Sequence, residues 1–156
     1  MSASLARKVP RSEPAAPITI AVTSGKGGVG KSQLVASLAV VLRQAGQKAL
    51  VVDADVGCGD LDLLFDLRTQ HDLRSVLRGE RTVEEVIARG RVGDVEIDLL
   101  PAPSADRNGA ELSAGEQLGF VAAVDRIGGA YDVVLVDTGA GVSRNPMLFA
   151  AAADRV

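Results

Sequence analysis

The chain has 156 residues, of which 47% are hydrophobic and 24% charged, and its formal net charge is −3. This length and composition are typical of one globular domain with a hydrophobic core. The weak negative charge and an aromatic content of 3% exclude a generally basic nucleic-acid surface and an aromatic stacking platform for single strands. The single cysteine, Cys58, excludes a disulfide within the chain and an iron–sulfur cluster held by four cysteines of one copy.

Residues 1–17 combine three prolines, three basic residues and small polar residues, a composition that favours a disordered leader. They lack the apolar core of a signal peptide, and no stretch of the chain is long and apolar enough to cross a bilayer. We therefore expect a cytoplasmic protein. A basic segment that touches a membrane surface is the alternative interpretation of this leader.

The next part of the chain alternates strand and helix signals. Residues 18–23 are a short β-branched apolar run that ends at a glycine cluster, which predicts a buried strand feeding a loop. Residues 32–45 carry apolar side chains at helical spacing, and Gly46 is the expected residue just beyond the helix. Residues 48–52 predict a second buried strand with Asp53 at its carboxyl end.

Weaker signals follow the second strand. Two short helical segments are predicted near residues 72–78 and 83–88, and residues 95–100 predict a third strand. Ser113 and Glu116 have the spacing of a capping box, which predicts the start of a longer helix.

The last part of the chain predicts one more strand and two incomplete elements. The double glycine at 128–129 is expected to end the helix, and residues 131–136 predict a fourth strand with Asp137 at its end. The Asn-Pro pair at 145–146 opens a last helical segment. Residues 154–156 are expected to enter a further strand.

Alternating strands and helices indicate right-handed βαβ units and a mostly parallel sheet flanked by helices, which is an α/β fold. Ligands of such sheets bind beyond the carboxyl ends of the strands. Three stretches rich in glycine or aspartate lie at predicted carboxyl ends, namely residues 25–32, 53–62 and 137–141. Their convergence predicts one site.

Residues 25–32 match the phosphate-binding pattern Gly-x4-Gly-Lys-Ser between a predicted strand and a predicted helix. Glycines let backbone N–H groups curl around phosphate oxygens, and the helix N-terminus adds the positive end of its dipole. Lys31 is expected at the β- and γ-phosphates, and the Ser32 hydroxyl at Mg2+. The expected cofactor-binding residues are Gly25, Lys26, Gly27, Gly28, Val29, Gly30, Lys31 and Ser32. A flexible glycine turn is the structural alternative.

Carboxylates follow two of the predicted strands. Asp137 comes after four apolar residues, as a Walker B aspartate does, and is expected to reach Mg2+ through water. Asp53 and Asp55 follow the second strand. One of them can hold the hydration shell of Mg2+ while the other orients the attacking water. Simple capping of the strand end is the alternative.

The second lysine of the loop, Lys26, makes the motif more specific. Residues 26–32, Lys-Gly-Gly-Val-Gly-Lys-Ser, resemble the deviant Walker A motif of the MinD/ParA superfamily. The resemblance implies a P-loop NTPase fold of the SIMIBI type, ATP and Mg2+ as cofactors, and an ATP-dependent homodimer in which Lys26 reaches the partner's nucleotide, much as an arginine finger does. It also assigns water positioning to Asp55, so Lys26 and Asp55 are the expected catalytic residues. The expected metal-binding residues are Ser32, Asp53 and Asp137.

Residues 137–141, Asp-Thr-Gly-Ala-Gly, resemble the FlhG/FleN branch of this superfamily more than MinD, which usually has Asp-Ser-Pro-Ala-Gly there. That branch regulates the number and placement of flagella. The resemblance implies a flagellar assembly GTPase or flagellar regulators as partners, and cycling on and off the inner membrane. Asp60 stands where MinD-like proteins typically have Asn. Sequence-specific nucleic-acid binding is not indicated.

The resemblance covers residues 18–156, but only about the first half of the family's usual domain. We therefore expect the N-terminal part of a nucleotide-binding domain, incomplete in its C-terminal half, with four strands and the beginning of a fifth. The family's C-terminal membrane helix and base-contacting loops are not in this sequence. On that expectation, the 156 residues alone bind ATP weakly with little preference over GTP, turn over negligibly and associate with no membrane stably.

Four alternative functions stay open. A ParA-type DNA-partition ATPase shares the loop. An iron–sulfur carrier is disfavoured by the single cysteine, and a bacterial tyrosine kinase by the single tyrosine. The last alternative is an incomplete copy that binds nucleotide weakly or does not hydrolyse it.

Overall fold

The computed structural model describes residues 16–56, 58–102, 112–127, 129–141, 147, 149–151 and 153–156. The described strands are β1 (Ile18–Ser24), β2 (Ala49–Ala54), β3 (Ala88–Val92), β4 (Val95–Leu100) and β5 (Val133–Ala140). The described helices are α1 (Lys31–Gln44), α2 (Leu61–Leu64), α3 (Leu73–Leu77), α4 (Val83–Val86) and α5 (Ala114–Ile127).

The strands form one sheet in the order β1-β5-β2-β4-β3. The pairs β1–β5, β5–β2 and β2–β4 are parallel, and β3 alone runs antiparallel to its neighbour β4. The parallel register places Asp53 of β2 directly opposite Asp137 of β5. The carboxyl ends of β1, β5 and β2 therefore meet at one edge, as the sequence predicts.

Helices cover both faces of the sheet, as a buried parallel sheet requires. On one face, α1 and α2 pack Val35, Ala39 and Leu61 against strand residues such as Leu135. On the other face, α3, α4 and α5 pack against the alternating strand residues, with Phe120 of α5 among them. This packing on both faces fixes the positions of the aspartates at the edge of the sheet.

Most of the predicted elements are confirmed. The strands predicted at 18–23, 48–52 and 95–100 are β1, β2 and β4, and the helix predicted at 32–45 is α1. Gly46 follows α1 with a φ of 83°, as expected for the residue that leaves a helix.

The helix that begins after Ser113 is capped as predicted. The Glu116 N–H donates to the Ser113 hydroxyl at 3.2 Å, and the Ser113 N–H donates to the Glu116 carboxylate at 2.8 Å. Both bonds satisfy N–H groups that a helix end would leave unpaired. Gly128, expected to help end this helix, lies outside the described residues.

The expected count of four strands is wrong, because the hairpin strand β3 (Ala88–Val92) was not predicted. Residues 83–88 were expected to be one helical segment, but α4 ends at Val86 and the chain is in β3 from Ala88. Strand β3 pairs with β4 across the tight turn at Gly93, whose φ is 59°. The four-residue helix α2 was not predicted either.

The segment at 154–156 lies beside the outer edge of β1. Arg155 forms a parallel bridge with Ile20, and the Ala21 N–H donates to the Arg155 carbonyl at 2.9 Å. The expected entry to a further strand is therefore present, and it pairs with part of the outer edge of β1. The predicted leader up to residue 15 and the helical start at 145–146 lie outside the described residues.

None of the helices within the described ranges is long and apolar enough to span a membrane.

Candidate functional site

The loop between β1 and α1 has the backbone that a phosphate cradle needs. Gly28 and Gly30 have φ values of 73° and 92°, a region that side-chain-bearing residues rarely adopt. Gly30 is also the N-cap of α1, and its carbonyl accepts the first helical hydrogen bond from the Leu34 N–H at 2.9 Å. The conformation explains the glycines at these two positions.

The N-terminus of α1 is free to receive an anion. No side-chain oxygen of the described residues caps it, and its first turn contains no acidic residue. Its first two residues are Lys31 and Ser32, both half-buried. A 14-residue helix that presents uncapped N–H groups and a lysine at its N-terminus is a favourable phosphate site.

The loop is tied to the end of β5. The Gly141 N–H donates to the Ser24 carbonyl at 2.9 Å, and the Ser24 hydroxyl donates to the Lys26 carbonyl at 2.7 Å. A Cβ placed on Gly27 would lie 3.7 Å from Cβ of Ala140. Residues 137–141, which the sequence predicts to be part of the site, are thus in contact with the loop. The side chains of Lys26 and Val29 are exposed.

Asp137 is buried beside the N-terminus of α1, and its Oδ1 has no hydrogen-bond partner among the described residues. Burial raises the pKa of Asp137 above its usual value, and the charges of Asp55 and Asp60 raise it further. A hydrogen bond with Ser32 and the charge of Lys31 oppose that rise. A buried carboxylate oxygen without a partner is costly unless a ligand completes its coordination.

Asp53 is equally buried, but both of its oxygens are engaged. Oδ1 accepts from the Asp55 N–H at 3.1 Å, and Oδ2 accepts from the Leu61 N–H at 3.2 Å. Burial raises the pKa of Asp53 from 3.8 to about 7, against the lowering effect of these two bonds. The nearby charges of Asp137 and Asp55 also raise it.

Asp55 is half-buried and faces the same region. Burial raises the pKa of its carboxyl, the charge of Lys31 lowers it, and the charge of Asp60 raises it. A Cβ on Gly139 would come within 3.0 Å of Oδ1 of Asp55, so the carboxylate lies against the end of β5. Asp55 therefore lies close to both Lys31 and the end of β5.

The arrangement fits a Mg2+ ion bound together with a nucleotide. Within the described part of the chain, no three His, Cys, Asp or Glu side chains are grouped to hold a metal by themselves. A P-loop Mg2+ needs only a Ser or Thr hydroxyl, an aspartate and phosphate oxygens, completed by water. Ser32 and the unpartnered Oδ1 of Asp137 are the residues that would hold it. The ion would supply positive charge to phosphates in a site where acidic side chains outnumber the lysine.

The sequence named the residues of this site but not all of their neighbours. The sequence pattern did not indicate that Gly59 lies against Asp53. A Cβ on Gly59 would lie 2.6 Å from Oδ2 of Asp53. The charge of Asp60 acts on both Asp55 and Asp137, an effect that the sequence pattern did not indicate. Gly57, in the same loop, lies outside the described residues.

The sequence of the chain is similar to those of known proteins. A family model described as an AAA domain matches residues 18–156. The flagellum site-determining protein YlxH of Helicobacter pylori is 36% identical over 137 residues, which are 88% of this chain and 46% of that protein. The antiactivator FleN of Pseudomonas aeruginosa is 34% identical over 137 residues, 88% of this chain and 48% of that protein.

Solved structures show the same fold. The septum site-determining protein MinD of Pyrococcus horikoshii, complexed with Mg-ADP, matches with a TM-score of 0.73 and 27% identity. The match covers 88% of this chain and 55% of that one. The chain spans about half the length of the curated relatives it matches.

Proposed function

We propose that this chain, which belongs to the AAA domain family and to the MinD/ParA-type P-loop ATPases and has YlxH and FleN among its relatives, binds Mg-ATP as a nucleotide-dependent switch. One observation carries the proposal. The uncapped N-terminus of α1, with Lys31 in its first turn, lies beside the buried Asp137, whose Oδ1 has no partner among the described residues.

Each residue of the site has a task that its surroundings support. The loop amides and Lys31 bind the β- and γ-phosphates, because they present positive charge where no acidic residue of the helix competes. Ser32 and Asp137 hold Mg2+. Asp55, half-buried and close to Lys31, orients the water that attacks the γ-phosphate. The MinD structure solved with Mg-ADP supports these ligands for a protein of this fold.

The exposed Lys26 supports pairing of two copies around ATP. Its side chain is exposed, and no residue within the described ranges forms an ion pair with it. A lysine in this position can approach the nucleotide of a second copy and stabilise charge on its phosphates.

The pairing is tested by sedimentation of the chain with Mg2+ and a non-hydrolysable ATP analogue. Wild type is expected to sediment as a dimer with the analogue and as a monomer with ADP. Lys26→Ala should bind the analogue but stay monomeric, while Lys48→Ala, at the opposite end of the sheet, should behave as wild type. A Lys26→Ala variant that dimerises normally would refute this part of the proposal.

The cellular role that we propose is control of flagellar number and placement. The name of YlxH, a flagellum site-determining protein, supports this role, as does the similarity of residues 137–141 to the FlhG/FleN branch. Deletion of the gene in a flagellated host, with flagella counted by electron microscopy, is expected to change their number or position. Unchanged flagella together with altered DNA segregation would favour a partition ATPase.

A further inference from the structure

The two buried aspartates at the carboxyl edge of the sheet are placed for different tasks. Asp53 and Asp137 lie opposite each other on neighbouring strands, and each is 2% exposed. Asp137 keeps one oxygen without a partner among the described residues, whereas both oxygens of Asp53 accept backbone hydrogen bonds. An aspartate whose oxygens already hold the protein backbone is a weaker candidate for the magnesium side of the site.

The two hydrogen bonds to Asp53 come from the two ends of residues 55–61, of which the structure describes 55, 56 and 58–61. Oδ1 holds the Asp55 N–H at the start, and Oδ2 holds the Leu61 N–H, the first of helix α2, at the end. The N-cap residue of α2, Asp60, makes no capping bond with its side chain. The carboxylate of Asp53, in β2, caps the helix instead. Leu61 itself is fully buried in the core beside α1.

Gly59 closes the loop over the carboxylate. A Cβ at this position would lie 2.6 Å from Oδ2 and 2.8 Å from Cγ of Asp53, and it would also overlap Cβ of Ala102. These contacts are made with a buried, hydrogen-bonded side chain on one side and with the segment after β4 on the other. Any larger residue must therefore push the loop away from Asp53.

The loop that Asp53 holds carries Asp55. With its N–H fixed by Asp53, Asp55 places its carboxylate against Gly139 and near the charge of Lys31. The Cys58 N–H also donates to the Asp55 carbonyl at 3.2 Å, so Asp55 is held from both sides along the loop.

We propose that Asp53 is a positioning residue, which clamps residues 55–61 through two backbone hydrogen bonds so that Asp55 faces the phosphate loop, and that it is not a magnesium ligand. The proposal rests on the proposed function for the identity of the reaction, but the clamp itself does not depend on bound nucleotide. It also assigns Gly59 a role, as the residue that lets the loop reach the clamp.

The single cysteine of the chain provides the probe, because Cys58 is exposed and lies inside the clamped loop. A nitroxide spin label on Cys58 reports the mobility of residues 55–61 by electron paramagnetic resonance, without nucleotide. Asp53→Asn replaces one acceptor oxygen by a donor that faces an N–H, and Gly59→Ala forces the loop outward. Gly115→Ala is the matched control, because a Cβ there meets nothing within 4 Å.

Both Asp53→Asn and Gly59→Ala are expected to mobilise the label, and to speed amide exchange at Leu61 at least tenfold, while exchange at Leu50 in the core stays unchanged. Gly115→Ala should leave all three readouts as in wild type. The Mg2+ concentration that half-saturates ADP binding should stay within twofold of wild type in each variant. In a chain completed with the C-terminal half of the family's domain, where turnover can be measured, the two variants are expected to lower kcat and to retain ATP affinity.

Two results would overturn the proposal. One is a label and a Leu61 amide that are as ordered in both variants as in wild type. The other is a Mg2+ requirement that rises tenfold or more in Asp53→Asn but not in Gly59→Ala, which would make Asp53 a metal-side residue. Absence of nucleotide binding by wild type would refute the proposed function instead. The mobility of the spin label would still show whether Asp53 holds the loop, because it is measured without nucleotide.

Discussion

At the scale of single residues, the site accumulates negative charge in a place that water barely reaches. Burial is the largest cause of the raised pKa values of Asp53, Asp55 and Asp137, and in each case a further aspartate adds to it. Lys31 is the cation that lowers the pKa of two of them. Such a cluster is unfavourable without a ligand, and it favours the binding of a cation with the phosphates.

This cluster predicts how stability depends on pH without Mg2+ and nucleotide. The pKa of Asp53 is about 7 in the folded chain and 3.8 as a free group, so between these values the folded state binds more protons than the unfolded state. The free energy of unfolding must then fall as pH rises through this window, by up to about 1.4 kcal/mol per pH unit for one group. The raised pKa values of Asp55 and Asp137 act in the same direction.

Thermal unfolding in EDTA at pH 5.5 and 7.5 measures this effect, and the chain is expected to melt higher at pH 5.5. Asp53→Asn should flatten the dependence, whereas Asp94→Asn, on the exposed turn between β3 and β4, should keep the wild-type slope. Glu116, whose pKa is lowered by hydrogen bonds from Ser113, loses its contribution only below the window tested. A melting temperature that rises with pH across the window would contradict this account.

At the scale of elements, the position of a helix end depends mostly on the local sequence. The reciprocal bonds between Ser113 and Glu116 lie within four residues, so the spacing alone predicts them. Ser113→Ala is expected to lower the free energy of unfolding by about 1 kcal/mol, measured by urea denaturation. Ser37→Ala, inside α1 and exposed, should cost less than about 0.5 kcal/mol. Equal losses in the two variants would show that the cap does not stabilise α5.

Elements that depend on partners far along the chain were harder to predict. Strand β3 has the sequence Ala-Arg-Gly-Arg-Val, with charged residues that mask the apolar alternation of a strand, and it is stabilised by pairing with β4. The Gly93-Asp94 pair is a two-residue hairpin signal that could have identified it. The contact between Gly59 and Asp53 has no local signature, because it depends on how the loop folds back over the strand.

At the scale of the whole molecule, the order of the strands builds the site. The rule that ligands bind beyond the carboxyl ends of parallel strands predicted that three stretches converge. It did not predict that β5 lies between β1 and β2, which places Asp137 between the phosphate loop and Asp53. That order is decided by packing across the entire sheet, where α1 and α2 cover one face and α3, α4 and α5 the other.

Residues 25–32 are proposed to bind Mg-ATP, and this binding is measured by calorimetry of the chain with Mg-ATP. Lys31→Ala removes the cation at the start of α1 and is expected to weaken binding at least tenfold, because the phosphates lose their charged donor. Lys48→Ala removes an exposed lysine at the opposite end of the sheet and should leave the affinity unchanged. Equal affinities of folded wild type and folded Lys31→Ala for Mg-ATP would contradict this proposal.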